Sequence, residues 1–290
     1  MSNFPSKIGK GYVFASTCIA SIIIFLILAV TFVNSTKALF HPGFSFFKTE
    51  WNVATGLFGI LPMLFGTAYV TAIALTLAGP IGVLCALYIS EVLPQRYRLI
   101  AKTLLELLAG IPSIIYGLIG VAVLCVWTGD LFHLGSGRTI LSAGILLALM
   151  ILPTIITLCD DAFKNVPINY RDAACGLGMT KYEMIRSTIL PIAKADVVGA
   201  LLLATGRALG ETMAVLLVIG SLDKMPQPLY NFLVPSQTMT SKIGRELAES
   251  SFGSVHFSAL IALGLILLIF VLMITFVAQF YFVSEERLHE

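Results

Sequence analysis

Apolar residues run along this chain in six long stretches, approximately 11–33, 65–92, 104–127, 139–158, 192–220 and 256–282, parted by polar segments. Each has the ~20-residue length a helix needs to cross the hydrocarbon core of a bilayer. The pattern predicts an all-α integral membrane protein with six transmembrane helices. The first stretch follows Lys7 and Lys10, is too long for a signal-peptide core and lacks a small-residue cleavage site behind it, so it is expected to stay as a helix. The expected organisation is an N-terminal span and external interfacial segment over 1–64, a transmembrane domain over 65–282, and a charged cytoplasmic tail over 283–290.

One polar interruption, 159–191, carries a helical pattern of its own. Tyr170, Ala173, Ala174 and Leu177 fall at i, i+3, i+4 and i+7, which predicts a short amphipathic helix. Gly176 and Gly178 loosen its end. Thr180 and Glu183 have the spacing of a capping box and predict the start of a second helix, with Tyr182, Ile185 and Ile189 as its apolar stripe. The result is a helix–turn–helix elbow closed by Pro191. Two readings are open: a rigid lever that takes force from a partner protein, or a surface loop packed on its own bundle.

Composition narrows the class. Of 290 residues, 58% are hydrophobic and only 12% charged, and the mean hydropathy is +0.94, more apolar surface than a soluble domain has use for. A net charge of +2 without a basic run gives no footprint for nucleic acid. The cysteines Cys18, Cys85, Cys125, Cys159 and Cys175 are scattered and form no CxxC pair, so inert thiols are expected and no metal site is proposed. With the N-terminus inside, the cytoplasmic side holds Lys7, Lys10, Arg96, Arg98, Lys102, Lys164, Arg171, Lys181, Arg186, Lys194 and Arg287. The outside holds only Lys37, Lys48, Arg138, Lys224, Lys242 and Arg245. That asymmetry predicts both termini and the elbow in the cytoplasm.

Polar residues within the apolar stretches mark candidate chemistry. Phe40, Phe44, Phe46, Phe47 and Trp51, before the second span, are spaced as an interfacial aromatic anchor. Gly79-Pro80 is expected to break the second span. In the third, Glu106, Gly110, Ser113 and Gly117 recur at helical spacing with Tyr116 beside them, a small, polar face that also suits close helix contact, and Pro112 is expected to kink the helix at the carbonyl of Leu108. A carboxylate at the membrane centre costs about 2.5–3.5 kcal/mol, so Glu106 should face protein or water, as a pathway group or a hydrogen-bond anchor. Asp160-Asp161 reads as a solvated helix end. In the fifth span Arg207 and Glu211 stand one turn apart on one face. The Arg-before-Glu order is the weaker one for an i, i+4 pair, so self-pairing is a poor reason to keep both there. A guanidinium fork matches oxyanions and stays charged. Arg207 as a transient anion contact steadied by Glu211, and the two as a structural salt bridge, are both open. The external segment 221–255, with its hydroxyl cluster and a helical pattern at Lys242–Glu249, is a ledge for a partner or a cover for the pathway mouth.

Asp172-Ala173-Ala174, Gly178 and Leu190-Pro191 resemble the EAA loop of ABC-importer permeases, which docks in a groove of the ATPase. Asp172 stands where Glu is commoner, keeping the charge on a shorter arm, and Thr188 replaces a β-branched aliphatic. EWNVATGLFGILPMLFGT, ELLAGIPSIIYG, MILPTI, GRALGETMAV and HFSALIALGL extend the likeness to the PstC-type permeases of phosphate ABC importers. The resemblance implies a type I importer (MetI-like) fold in a bacterial inner membrane, surrounded by lipid. It also implies a PstA-type sister subunit, an ATPase dimer below and a phosphate-binding protein outside. No GxxxxGK[ST] segment occurs, so ATP and magnesium belong to the ATPase, and this chain is not itself expected to be an enzyme. A permease for molybdate or sulfate, and a proton-coupled secondary transporter, are the competing readings. The second should show two related halves, which the sequence does not.

Overall fold

The computed structural model describes the backbone of residues 4–286 and the side chains of residues 9–276. Arg287 of the expected tail and the side chain of Lys7 lie outside the described residues. Among the described residues six helical segments are long and apolar enough to cross a membrane: Gly9–Leu39, Leu61–Val92, Ser113–Leu131, Ile140–Lys164, Lys181–Leu209 and Val255–Phe276. The six-span expectation holds, with changed boundaries.

Helix α1 (Phe4–Leu39) lies along the last helix of the chain and leaves most of its side chains exposed. Between α1 and α2 (Leu61–Leu87) sits a small sheet of β1 (Phe44–Ser45), β2 (Trp51–Asn52) and β3 (Leu57–Gly59) in the order β1-β3-β2. Its core is Phe58, with Trp51 set edge-on at 5.1 Å between ring centroids. Phe44 packs inward with them, so the expected aromatic anchor is divided. Only Phe40, Phe46 and Phe47 of that set stay exposed.

Helix α2 does not break at Gly79-Pro80; it runs through Pro80 to Leu87 and ends in a π-helical turn, Tyr88–Val92. Small residues here serve contact with a neighbour instead. A Cβ on Gly82 would come within 2.6 Å of Ile155 Cγ2, and one on Gly144 within 2.5 Å of Ile73 Cγ2. Both contacts belong to the pairing of α2 with α6 (Ile140–Lys164), at the centre of the buried core. In lipid, such close approach supplies the dispersion contacts that hold helices together.

The stretch expected as one span from 104 is two elements. Helix α3 (Gln95–Ala109) has no buried residue; α4 (Ser113–Ile119) begins after Pro112, passes through a π turn (Gly120–Leu124) and continues as α5 (Cys125–Leu131). Pro112 thus breaks the helix rather than kinking it. The Leu108 carbonyl is taken up by the Tyr116 hydroxyl at 2.9 Å.

Helix α6 also runs further than expected, through Asp160-Asp161 to Lys164. Asp160 is not a solvated end: it is 2% exposed, with one oxygen 2.6 Å from Lys102 Nζ and 2.5 Å from Lys164 Nζ. Two ammonium groups offset the cost of burying that carboxylate. The elbow follows as α7 (Ile168–Gly176) and α8 (Lys181–Met184). Pro191 does not close it. A π turn, Ile185–Ile189, joins α8 to α9 (Leu190–Leu209), and the added residue in that turn accommodates the N–H that proline lacks.

The fifth span is interrupted too. Helix α9 stops at Leu209, and α10 (Met213–Val218) starts afresh. Helix α11 (Met239–Glu246) folds back beside α10, and α12 (Val255–Glu286) is the last helix among the described residues. The hydroxyl segment Ser236–Ser241 is buried, so it is internal structure rather than an open ledge.

Candidate functional site

Two helix breaks, at 110–112 and 210–212, are tied through one packed interface. Helix α4, just after the first, lies on α10, just after the second: a Cβ on Gly117 would meet Ala214 Cα at 3.0 Å and Leu217 Cδ1 at 2.7 Å. Non-helical backbone at membrane depth is tolerated only where protein or a cavity satisfies it. Such breaks therefore mark where helices surround something other than lipid.

At the second break, Arg207 occupies the last turn of α9, and Glu211 lies between the helices. They are not partners on a single helical face, and among the described residues no ion pair joins them. Arg207 Nη1 donates to the Thr154 hydroxyl of α6 at 2.5 Å. Glu211 Oε1 accepts from the Ala214 N–H at 3.2 Å, in the first turn of α10. A cation at a C-terminal helix end and an anion at an N-terminal one each oppose the local end charge. The Arg-before-Glu order, poor for a pair on one continuous helix, is the favourable one across a broken helix. Arg207 is exposed and makes a single hydrogen bond among the described residues, which leaves most of its fork available.

The remaining expected pathway residues divide. Ser113 opens α4 beside α10 and is half-buried. Tyr116, on the same helix, spends its hydroxyl on the first break. Glu106 stands apart on α3 and lines a small cleft at the elbow end with Lys102, Thr157, Asp160 and Asp161. Among the described residues no group of His, Cys, Asp and Glu is placed to hold a metal ion.

At the elbow, local rules set the shape. Gly178 has φ +73°; its N–H bonds the Cys175 carbonyl at 3.0 Å, and the Met179 N–H bonds the Ala174 carbonyl at 3.1 Å. That is a Schellman ending, in which the residue at the left-handed position is most often glycine. Gly178 therefore terminates α7 sharply rather than loosening it. The Thr180–Glu183 capping box is formed in both directions and starts α8. Of the apolar row, only Ala174 turns inward, at 4% exposed. Tyr170 and Leu177, at 54% and 76%, point away from the chain with Ala173, Asp172, Ile168 and Tyr182. An elbow packed on its own bundle would hide that row. Leu190 and Pro191 lie at the far end, in the first turn of α9.

Sequence reasoning missed the group that seats the elbow. Glu91, buried in the turn after α2, receives Arg171 of α7. It also missed buried Lys242 on α11, which pairs with Asp223 and Glu246. Glu91 and Arg171 are 80 positions apart and Asp223 is 19 from Lys242, too far to show a pattern; the Lys242–Glu246 spacing of i, i+4 was the one signal available.

A family model described as the binding-protein-dependent transport system inner membrane component matches residues 78–285. Among curated proteins, the phosphate transport system permease protein PstC of Mesorhizobium japonicum is 36% identical over 92% of this chain and 88% of its own. PstC 1 of Mycobacterium tuberculosis is 35% identical over 85% and 84%. The probable ABC transporter permease YqgH of Bacillus subtilis is 33% identical over 77% and 72%. Among solved structures, an inward-facing MetNI methionine ABC transporter covers 78% of this chain and 94% of its own, with a TM-score of 0.57 at 16% identity. An alginate ABC transporter with its oligosaccharide-bound periplasmic protein covers 96% of each, with a TM-score of 0.58 at 17%. These structures establish the MetI-like importer fold, and the family match together with the six candidate spans places the chain as a multi-pass inner-membrane protein. With nearly three-quarters of its length inside the family model and PstC proteins aligned along almost all of it, the chain belongs to the binding-protein-dependent transport system inner membrane components, on their PstC-type branch.

Proposed function

We propose that this chain is the phosphate-handling permease subunit of an ATP-driven importer, one half of a pathway completed by a PstA-type sister subunit. The carrying observation is the Arg207 guanidinium, exposed at a broken helix with a single hydroxyl as its partner among the described residues. Such a group can take an oxyanion and give it up again, because its fork is aimed by Thr154 but not saturated. Glu211 anchors the start of α10, and Ser113 borders the same interface. The Tyr116 hydroxyl is engaged by the Leu108 carbonyl at the other break, and Glu106 stands apart in the cleft at the elbow end.

The outward row of Tyr170, Asp172, Ala173 and Leu177 docks in a groove of an ATPase dimer, which holds the ATP and magnesium. Both termini lie on that cytoplasmic side. ATP-driven closure of the dimer moves the elbows and, through α9, opens the pathway outward to receive phosphate from an external binding protein. The permease performs no bond chemistry; it presents a fixed cation and changes which side reaches it.

Uptake of radiolabelled phosphate by the complete complex in liposomes, challenged with excess molybdate or sulfate, tests the cargo. Phosphate alone is expected to compete fully and to require ATP. Full displacement by that excess of molybdate or sulfate would reassign the oxyanion, and ATP-independent uptake would overturn the importer reading.

A further inference from the structure

Helix α11 grips the short helix α10 at both ends. At the break, the Thr240 hydroxyl donates to the Glu211 carbonyl at 2.8 Å, a carbonyl that lies outside either helix. Thr240 is buried, and its oxygen is 3.1 Å from that of Thr238, the capping residue of α11. Gly244, one turn further on, brings α11 so close that a Cβ there would meet Thr212 Cγ2 at 2.7 Å.

At the opposite end, Arg245 Nη1 donates to the Ser221 carbonyl at 2.9 Å, and Lys242, 1% exposed, pairs with Asp223. Ser221 and Asp223 lie three and five residues beyond the end of α10. Helix α11 is itself seated on α2, where the Thr67 hydroxyl accepts from the Met239 N–H at 3.0 Å. A six-residue helix has too few internal hydrogen bonds to hold its own direction. Here its direction is set from outside.

We propose that Thr240 is a positioning residue for the anion pathway: by holding the Glu211 carbonyl it fixes the peptide plane at the break, and with it the aim of Glu211. Without that donor the carbonyl, carrying partial negative charge in a low-dielectric site, turns to seek another partner and misaligns the site. The inference rests on Arg207 and Glu211 being pathway residues.

The test uses the complete reconstituted complex, with phosphate uptake normalised to assembled complex. Thr240→Val keeps the shape and removes the donor, whereas Thr240→Ser keeps the donor. Thr240→Val is expected to lower the maximal rate about tenfold, the scale of one lost buried hydrogen bond, with half-saturation by the loaded binding protein unchanged. Thr240→Ser is expected to stay within about twofold of wild type. If Thr240→Val does not assemble, Gly244→Ala decides, since its methyl presses Thr212 away from the same break; it is expected to slow transport likewise.

Wild-type transport by the deciding variant overturns the proposal. So does equal impairment of Thr240→Val and Thr240→Ser, which assigns Thr240 to packing alone. Arg207→Ala, run in parallel, separates the two layers. An impaired Arg207→Ala beside a normal Thr240→Val removes only the positioning role. A normal Arg207→Ala removes the pathway reading and this inference with it.

Discussion

Arg171 of the elbow places Nη1 2.9 Å and 2.8 Å from the two carboxylate oxygens of Glu91, while its Nη2 donates to the Phe163 carbonyl at 2.7 Å. One guanidinium thus joins α7 to the ends of both α2 and α6, the two helices at the centre of the core. A lever transmits displacement only if its root does not give, and this contact is the root.

Removing one partner of such a buried pair costs about 3–5 kcal/mol, because the other charge is stranded. Arg171→Ala and Glu91→Ala are therefore expected to lower the phosphate moved per ATP hydrolysed. Binding to the ATPase should persist, since the outward row of Tyr170 and Leu177 is untouched. The exchanged pair, Glu91→Arg with Arg171→Glu, should recover part of the coupling. Full coupling in either single variant would show that the elbow is held elsewhere.

At the opposite end, burial pushes the Glu246 carboxyl up, but the Lys242 ammonium, by hydrogen bond and charge, and His256 outweigh it. They hold Glu246 below its ordinary value of 4.5. A carboxylate depressed in the folded state contributes stability that is fully present above its unfolded pKa. That contribution is lost as pH falls through the folded value. The thermal midpoint of the purified complex is expected to fall below pH 4.5 in the wild type. In Glu246→Gln it should be lower at neutral pH and flatter across that acid window. Parallel acid curves for the two proteins would contradict this.

Tyr116 gives the third prediction. Its hydroxyl satisfies the Leu108 carbonyl at the first break, so Tyr116→Phe should cost about 1 kcal/mol of stability. Half-saturation of phosphate uptake should not change. A large change in that constant with unaltered thermal stability would return Tyr116 to the pathway itself.

How much of this was legible in the chain depended on how local the cause was. The Thr180–Glu183 box is a three-residue rule, and the sequence shows it directly; the six spans follow from length and hydropathy. The break after Leu209 was hidden because apolar residues continue on both sides of Gly210-Glu211-Thr212, and helical periodicity carries the eye across it. Pro80 and Pro191 misled for a related reason. A proline says that one hydrogen bond is missing, whereas packing and a π turn decide whether the helix survives the loss. Glu91 and Arg171 are 80 positions apart, and Asp160 meets Lys102 only after α3 folds back on α6. A buried charge can be suspected from sequence, but its partners come from topology.

The most direct test of the account compares wild type, Arg207→Lys and Arg207→Ala in the reconstituted complex, reading phosphate uptake and phosphate-stimulated ATP hydrolysis together. Near-complete loss of uptake is expected in Arg207→Ala and partial retention in Arg207→Lys, which keeps the charge without the planar fork. Basal ATP hydrolysis should remain, since the elbow is untouched. Wild-type uptake by Arg207→Ala would contradict it.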